Sequence, residues 1–453
     1  MTEIRDQSIP TVPLIETFRG ALKFVKNPLP VINEALKRYG STYITRIIGG
    51  QRLIMSIDPE IVKHVLQTNH KNYIKSKIQT ESLGQYVGQG LLTVNGPYWL
   101  KQRRLIQPGF HKSRLEGLVS IVVDETEDFI SDLGKSLDTN GAKNDLGGLM
   151  SELTLRIVSK ALFSSGIVKD EIKDLGVKLI LQQEHIIREI RQPQWNWIRK
   201  LTGKKRKALL RSQEIRDGLH IIIKERQANI NGGHDDLLQM LLEARYEDTG
   251  EGMSVEQLID EVLILFVAGH ETTANTLTWC LYLLTQHPEI YKEAKKEASR
   301  LVSNGWDLGK VIKNDMLQQI VSETMRLYPP AWILDRMALE DDHINGAEIR
   351  KGDLIGLYTY GAHRNPEYWE HPDKFIPARF SPESKHDDPP KYAYFPFGGG
   401  PRFCIGSQFA LMEMKIALAG ILDQFDFKMI SEHVQAQPLI TLRPKEPIIV
   451  HVD

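Results

Sequence analysis

The chain of 453 residues carries 57 Lys and Arg against 58 Asp and Glu, with 41% hydrophobic and 25% charged residues. This excludes a disordered polymer, supplies ample apolar material for a large core, and leaves no global field to draw nucleic acid or an anionic membrane. Two cysteines, Cys280 and Cys404, are too few for a disulfide framework, a four-cysteine zinc site or an ordinary iron–sulfur cluster, and point to a reducing, cytoplasmic setting.

Pro10, Pro13, Pro28 and Pro30 interrupt the charged first forty residues, so neither a signal peptide nor membrane insertion is expected. The β-rich runs 43–48 and 52–57 flank Gly49-Gly50 and predict a hairpin. From residue 59 to about 341 the apolar spacing is helical, with breaks at Asn140-Gly141 and Asn231-Gly232-Gly233. A second β-rich stretch follows, with turns at Asn345-Gly346 and Lys351-Gly352. Nothing resembles a linker or a repeat, so a single domain over 1–453 is expected, mainly α with small β-sheets.

Ser254 with Gln257 three residues on reads as a capping box that opens a helix running to His287, where Pro288 stops it. At ~1.5 Å per residue it spans about 50 Å, the width of a domain. Its first half is apolar nearly all round, from Leu258 to Val267, and predicts a buried central helix. Ala268-Gly269-His270-Glu271-Thr272-Thr273 then interrupts it with a glycine and an acid–alcohol pair. A mid-helix glycine costs about 1 kcal/mol, which suggests a function. Ala268 and Thr272 lie one turn apart, so a groove at Ala268 and Gly269 could admit dioxygen beside the Thr272 hydroxyl, with Glu271 passing protons inward. A hydroxyl bonding back to its own helix is the plain alternative.

Phe397-Gly398-Gly399-Gly400-Pro401-Arg402-Phe403-Cys404-Ile405-Gly406 leads into an amphipathic helix reaching about Asp423. A thiolate ligand must be deprotonated and protected. N–H groups at a helix start lower its pKa and tune an iron through N–H···S bonds. The glycines would let backbone approach a porphyrin, Phe397 and Phe403 would exclude water, and Arg402 would pair with a haem propionate. A Cys–His hydrolase has no use for such a loop.

This segment resembles the haem-binding signature of the cytochrome P450 family at all its defining positions, and the motif at 268–273 resembles the family's oxygen-activation sequence. The resemblance implies a helix-rich triangular prism with haem b between the central long helix and the helix after the cysteine loop. It implies Cys404 as iron ligand, Trp99 and Arg103 of a Trp-x-x-x-Arg helix donating to propionates, and Arg336 at another propionate-binding position. Glu323 and Arg326 look like the family's buried Glu-x-x-Arg pair with Arg379 as third partner, though Ala378 stands where Glu is common.

The implied activity is a monooxygenase that inserts one oxygen atom from O2 into a C–H bond, with electrons ultimately from NAD(P)H. No reductase is expected in the fifty residues after Cys404, so a separate ferredoxin or flavodoxin and its reductase would deliver them. Lys101, Arg103, Arg104, Lys112 and Arg114 offer a basic docking face for such an acidic partner.

By family position Leu92, Ala268, Thr272 and 331–334, Leu334 included, line an apolar floor. Gln79, Gln85, Gln192, His185, Arg188, Trp195 and Trp197 would form polar walls suited to a hydroxylated molecule. The chain is similar to soluble bacterial members, including those that demethylate 6-O-methyl-D-galactose. A fatty-acid hydroxylase and a non-catalytic haem-thiolate gas sensor are the alternatives.

Overall fold

The computed structural model describes residues 9–47, 50–140, 142–164, 169–229, 232–303, 305–384 and 389–453. Ile48 and Gly49 of the expected hairpin, and Gly141 and Asn231 of the expected breaks, lie outside them. The early prolines start helices: Pro13 caps Leu14–Lys26, and Pro28 opens Pro28–Tyr39, whose preceding Asn27 side chain accepts from Leu29 N–H.

Strands β1 (Thr42–Arg46) and β2 (Arg52–Ser56) pair antiparallel with Ile44 opposite Ile54, as the runs around Gly50 dictate. They join β3 (Tyr73–Ile74), β4 (Leu334–Ala338) and β5 (Leu354–Leu357) in a five-stranded sheet of order β1-β2-β5-β4-β3. Only β2 with β5 is parallel. Central β5 is buried at every position, which explains its unbroken Leu-Ile-Gly-Leu run. The sheet closes over its own core, where Ile54, Ile355 and Leu357 are fully buried.

The larger core is helical. It is built by α1 (Gly96–Ile106), α2 (Lys112–Asn140), α3 (Leu146–Phe163), α4 (Lys169–Arg191), α5 (Lys204–Ala228), α6 (Val255–Gln286), α7 (Asp315–Leu327) and α8 (Ser407–Gln424). Helix α6 packs against α3, α5, α7 and α8, which is why Leu258, Val262, Leu263, Ile264 and Phe266 are all buried. Ser254 Oγ accepts from Gln257 N–H at 3.2 Å. The reciprocal half of the capping box is absent, because the Gln257 amide donates to the hydroxyls of Tyr98 and Tyr246.

Short strands near the C-terminus were not expected. Ile449–Val452 pairs with Lys143–Asp145 on one side and Phe427–Met429 on the other. Among the described residues no helix is long and apolar enough to cross a membrane.

Candidate active site at the cysteine loop

The loop before α8 is shaped by its glycines. Gly398 and Gly400 adopt φ of 74° and 62°, and a Cβ on Gly400 would stand 1.8 Å from the Leu66 carbonyl oxygen. A Cβ on Gly399 would stand 2.4 Å from the Tyr392 ring. The glycines at 399 and 400 are therefore also required by packing against protein, a constraint beyond the expected approach to a porphyrin. Leu334 lies against Gly398 and brings the end of β4 to the loop.

Cys404 precedes the first turn of α8, its N–H donating to Phe397 O at 3.0 Å. The Gly406 N–H points at the sulfur and, with the Arg103 guanidinium, works to lower the thiol pKa. Burial outweighs both and holds it up. The side chain is nonetheless accessible. An atom that is enclosed by protein yet reachable lines a deep cavity, not the outer surface. Phe403 is itself 41% exposed and meets Phe397 at 6.2 Å between ring centroids.

Ala268 is exposed in the middle of α6, so this face also borders open space. Gly269 does not: a Cβ there would meet Val158 of α3 at 3.2 Å, and its smallness serves helix packing. Thr272 Oγ1 donates to Ala268 O at 2.7 Å, the back-bonded geometry that was the plain alternative. Burial pushes the Glu271 carboxyl up, while Thr441, Gln183 and the Arg443 charge pull it down by less. His270 is held neutral by burial, at about 4, with Nε2 near Ser151 Oγ.

Whether these residues suit a haem is decided by charge. Lys75, Arg336 and Arg402 repel one another, and burial lowers the pKa of each. None has a carboxylate in ion-pair contact among the described residues. Lys75 Nζ donates to Leu91 O at 2.6 Å, Arg336 to Asp335 O at 2.7 Å, and Arg402 to Asn95 Oδ1 at 3.0 Å while lying 4.2 Å over the Trp99 ring. Only the more distant charges of Asp335 and Glu261 attract Lys75, and that of Asp335 attracts Arg336, so three desolvated cationic side chains short of a direct carboxylate partner fit a dianionic ligand. Arg103 stands apart from them, bonded to Gln107 and facing Cys404. Lys75 was not foreseen, since a lone lysine in Tyr-Ile-Lys-Ser carries no motif.

The loop is braced from α7. Glu323 and Arg326, both without solvent exposure, form a bidentate pair at 2.7 and 2.9 Å. Arg326 also donates to the carbonyls of His363, Pro372 and Lys374. Glu323 accepts from Ile376 N–H at 2.8 Å and faces Arg379 Nε at 3.4 Å. His363 carries the brace onward, for its Nε2 accepts from Phe395 N–H at 2.9 Å. The proton therefore sits on Nδ1 and is directed at Met325 O.

The model of the family described as Cytochrome P450 matches residues 10–452. The chain belongs to the cytochrome P450 family. It is 31% identical to echinocystic acid 23-monooxygenase of Saponaria officinalis over 92% of this chain and 82% of that protein. It is 32% identical to a cytochrome P450 sequence of Mycobacterium tuberculosis, covering 92% and 91%. The solved haem domain of cytochrome P450DA superposes with a TM-score of 0.86 at 27% identity, covering 99% and 98%. The protein is thus an oxidoreductase with the haem-thiolate monooxygenase activity of cytochromes P450, and its relatives include plant as well as bacterial proteins.

The expected polar walls of this P450 are largely bonded within the chain. Gln79 Nε2 donates to Asp335 Oδ1 at 2.6 Å, and Gln85 lies 3.5 Å from Glu189. Gln192 accepts from Arg199. Arg188 is exposed and paired with Glu184 of its own helix, which corrects its assignment to the pocket. Trp195 and Trp197 are 49% and 61% exposed. Only His185 keeps a buried nitrogen without a hydrogen bond, and burial lowers its pKa.

On the basic face, Lys101 pairs with Asp248 and Arg114 with Asp235, and the Lys112 side chain lies outside the described residues. Arg104 is left exposed without an ion pair among the described residues. A groove of about 480 Å³ runs beside these side chains, between α1 and Met240 to Asp248.

Proposed function

We propose that the chain is a P450 monooxygenase in which Cys404 ligates the iron of haem b, Lys75, Arg336, Arg402 and Trp99 hold its propionates, and the substrate lies among Leu92, Ala268 and Leu334. The cluster of Lys75, Arg336 and Arg402, short of a direct carboxylate partner among the described residues and beside the Cys404 loop, carries this reading, since its charge suits two propionates. Bound haem supplies the chemistry in which O2, two electrons and two protons convert a C–H bond to C–OH and water.

The residues' own tasks follow from their surroundings. Cys404 would hold the iron as a thiolate, an anion that the Gly406 N–H and the Arg103 charge, both of which lower the thiol pKa, would stabilise. Burial raises the Glu271 carboxyl above its ordinary range, which favours the proton it would pass inward. Thr272, donating to Ala268 O, leaves its oxygen lone pairs open to accept a hydrogen bond at the site. Electrons come from a separate ferredoxin or flavodoxin, with Arg104 an exposed cation of the docking face that has no ion pair among the described residues.

For the substrate, a methylated sugar such as 6-O-methyl-D-galactose, demethylated oxidatively, stands against a fatty acid. The internal pairing of Gln79, Gln85 and Arg188 leaves few groups to meet hydroxyls and favours the fatty acid. Binding spectra separate the two: laurate should give a high-spin shift and the sugar none. The class is tested by the reduced carbonyl difference spectrum. A thiolate-type band in the native protein and its loss in Cys404→Ser are expected, and a native protein that stays colourless with haem overturns the reading.

A further inference from the structure

The loop 88–93 brings Leu92 to the site and is gripped by two adjacent acids of α6. Asp260 Oδ2 accepts from Gln89 N–H at 2.7 Å, and Glu261 Oε2 accepts from Leu91 N–H at 2.9 Å. The Leu91 carbonyl is held from the other side by Lys75 Nζ at 2.6 Å, so both backbone polar groups of Leu91 are bonded. The other oxygen of Asp260 is paired with Arg216 of α5. No slack remains between loop and helix. A Cβ on Gly90 would stand 2.7 Å from Glu261 Oε2 and 2.9 Å from Ile264, and one on Gly88, at φ 87°, would stand 2.1 Å from Asp260. Within the loop, Thr93 Oγ1 donates to Gly88 O at 2.7 Å.

Holding a loop does not require a buried carboxylate. Glu261 has no exposed surface, and its Oε1 is buried without a hydrogen-bond partner, a costly arrangement that an apolar contact would avoid. We propose that Asp260 and Glu261 are positioning residues that set how far Leu92 reaches over the site and hence what size of substrate is admitted, with Lys75 linking this grip to the propionate pocket. The proposal rests on the reading that Leu92 faces the substrate.

The grip depends on protonation. The charged and titratable groups around Glu261 are Asp260 on its own helix, Lys75 across the loop, and Tyr98 and Tyr246, which feel its charge. Burial raises its carboxyl to about 7. Ionisation makes the bond from Leu91 N–H charge-assisted and draws in Lys75, but burial disfavours the charge by more than these contacts favour it, so the loop is held less tightly above neutrality than below.

The test uses the haem-loaded enzyme and two azoles that bind iron whatever the natural substrate: imidazole and the bulkier 4-phenylimidazole. Glu261→Ala should change the ratio of their dissociation constants about fivefold, the value of one hydrogen bond. It should speed amide exchange at Gln89 and Leu91 by a similar factor while the reduced carbonyl spectrum stays native. Glu261→Gln keeps the acceptor and the shape. It should match the native ratio about one pH unit below neutrality and lose the native change in ratio one unit above it; azole titration is common to both proteins and cancels. The proposal is overturned if Glu261→Ala leaves ratio and exchange at native values, or if Glu261→Gln keeps the pH dependence. Should the alanine variant not fold, the glutamine variant alone decides. A native protein lacking the thiolate carbonyl band would instead defeat the monooxygenase reading, and the exchange data would still judge the grip.

Discussion

Glu323, Arg326 and Arg379 are about as deeply buried as Lys75, Arg336 and Arg402, yet the two groups are assembled differently. In the first, a carboxylate and backbone carbonyls meet the guanidinium of Arg326 on every side. In the second, each cation finds a carbonyl or an amide, and none has a carboxylate within ion-pair distance among the described residues. A charge set closed upon itself holds a fold, whereas one left open waits for an anion. The difference separates scaffold from site without reference to any motif.

The largest effect is expected where the closed set is broken. Arg326→Ala leaves Glu323 ionised, buried and short of its partner, and should cost about 3–5 kcal/mol in denaturant unfolding. Haem content should fall with it, because Tyr394 OH donates to Ser322 O of α7 and Phe395 N–H to His363. A variant that unfolds within about 1 kcal/mol of native would erase the contrast.

Glu261 stands between the two extremes, partnered on one oxygen and bare on the other. Its folded carboxyl titrates at about 7 instead of the ordinary 4.5, so the folded state holds the proton more tightly than the unfolded chain. Stability from this group is complete below the unfolded value and lost as pH rises through about 7, in total about 3 kcal/mol. Melting curves of native protein and Glu261→Gln across that window should converge at the acid end and separate toward neutrality, with the variant the more stable. Parallel curves would show the carboxyl to be ordinary.

The open set gives a smaller effect of opposite sign in its two states. Arg336→Gln removes a repelling cation, so the haem-free protein should be no less stable than native. In the haem-loaded protein the same change deprives a propionate of a charge-assisted bond. Haem transfer to apomyoglobin should then accelerate about tenfold, the rate equivalent of about 1.4 kcal/mol. If the haem-free variant were also destabilised, Arg336 would belong with the scaffold.

The sequence carried most of this contrast, but unevenly. Cys404, the acid–alcohol pair on α6 and the Glu323–Arg326 pair are adjacent in sequence or one turn apart, so spacing alone locates them. Lys75 and His363 act through partners far along the chain, Leu91 close by but Arg336, Arg402 and Phe395 distant, and no local pattern announces them. The glycines at 399 and 400 carry a further constraint that the motif does not announce, from Leu66 and Tyr392 across the fold. The strands at 427–429 and 449–452, of three and four residues, are too short for an alternation to show and exist only through pairing with each other and with 143–145. Polar residues such as Gln79 and Arg188 looked like substrate contacts until their partners Asp335 and Glu184 were in view.

The same distinction between closed and open charge extends to the surface and predicts the smallest effect. Lys101 and Arg114 are neutralised by Asp248 and Asp235 at 3.2 and 3.5 Å, which leaves the docking face less positive than its residue count implies. Exposed pairs of this kind contribute at most about 1 kcal/mol, so Asp248→Asn should barely move the melting temperature. It should free Lys101, and reduction by an acidic ferredoxin at low ionic strength should then speed by about two- to threefold, whereas Arg104→Ala should slow it by a similar factor. Both changes should vanish in high salt, where screening removes steering. An Asp248→Asn enzyme reduced at the native rate in dilute buffer would place the partner elsewhere on the surface, and the groove beside α1 would lose its claim to border the docking face.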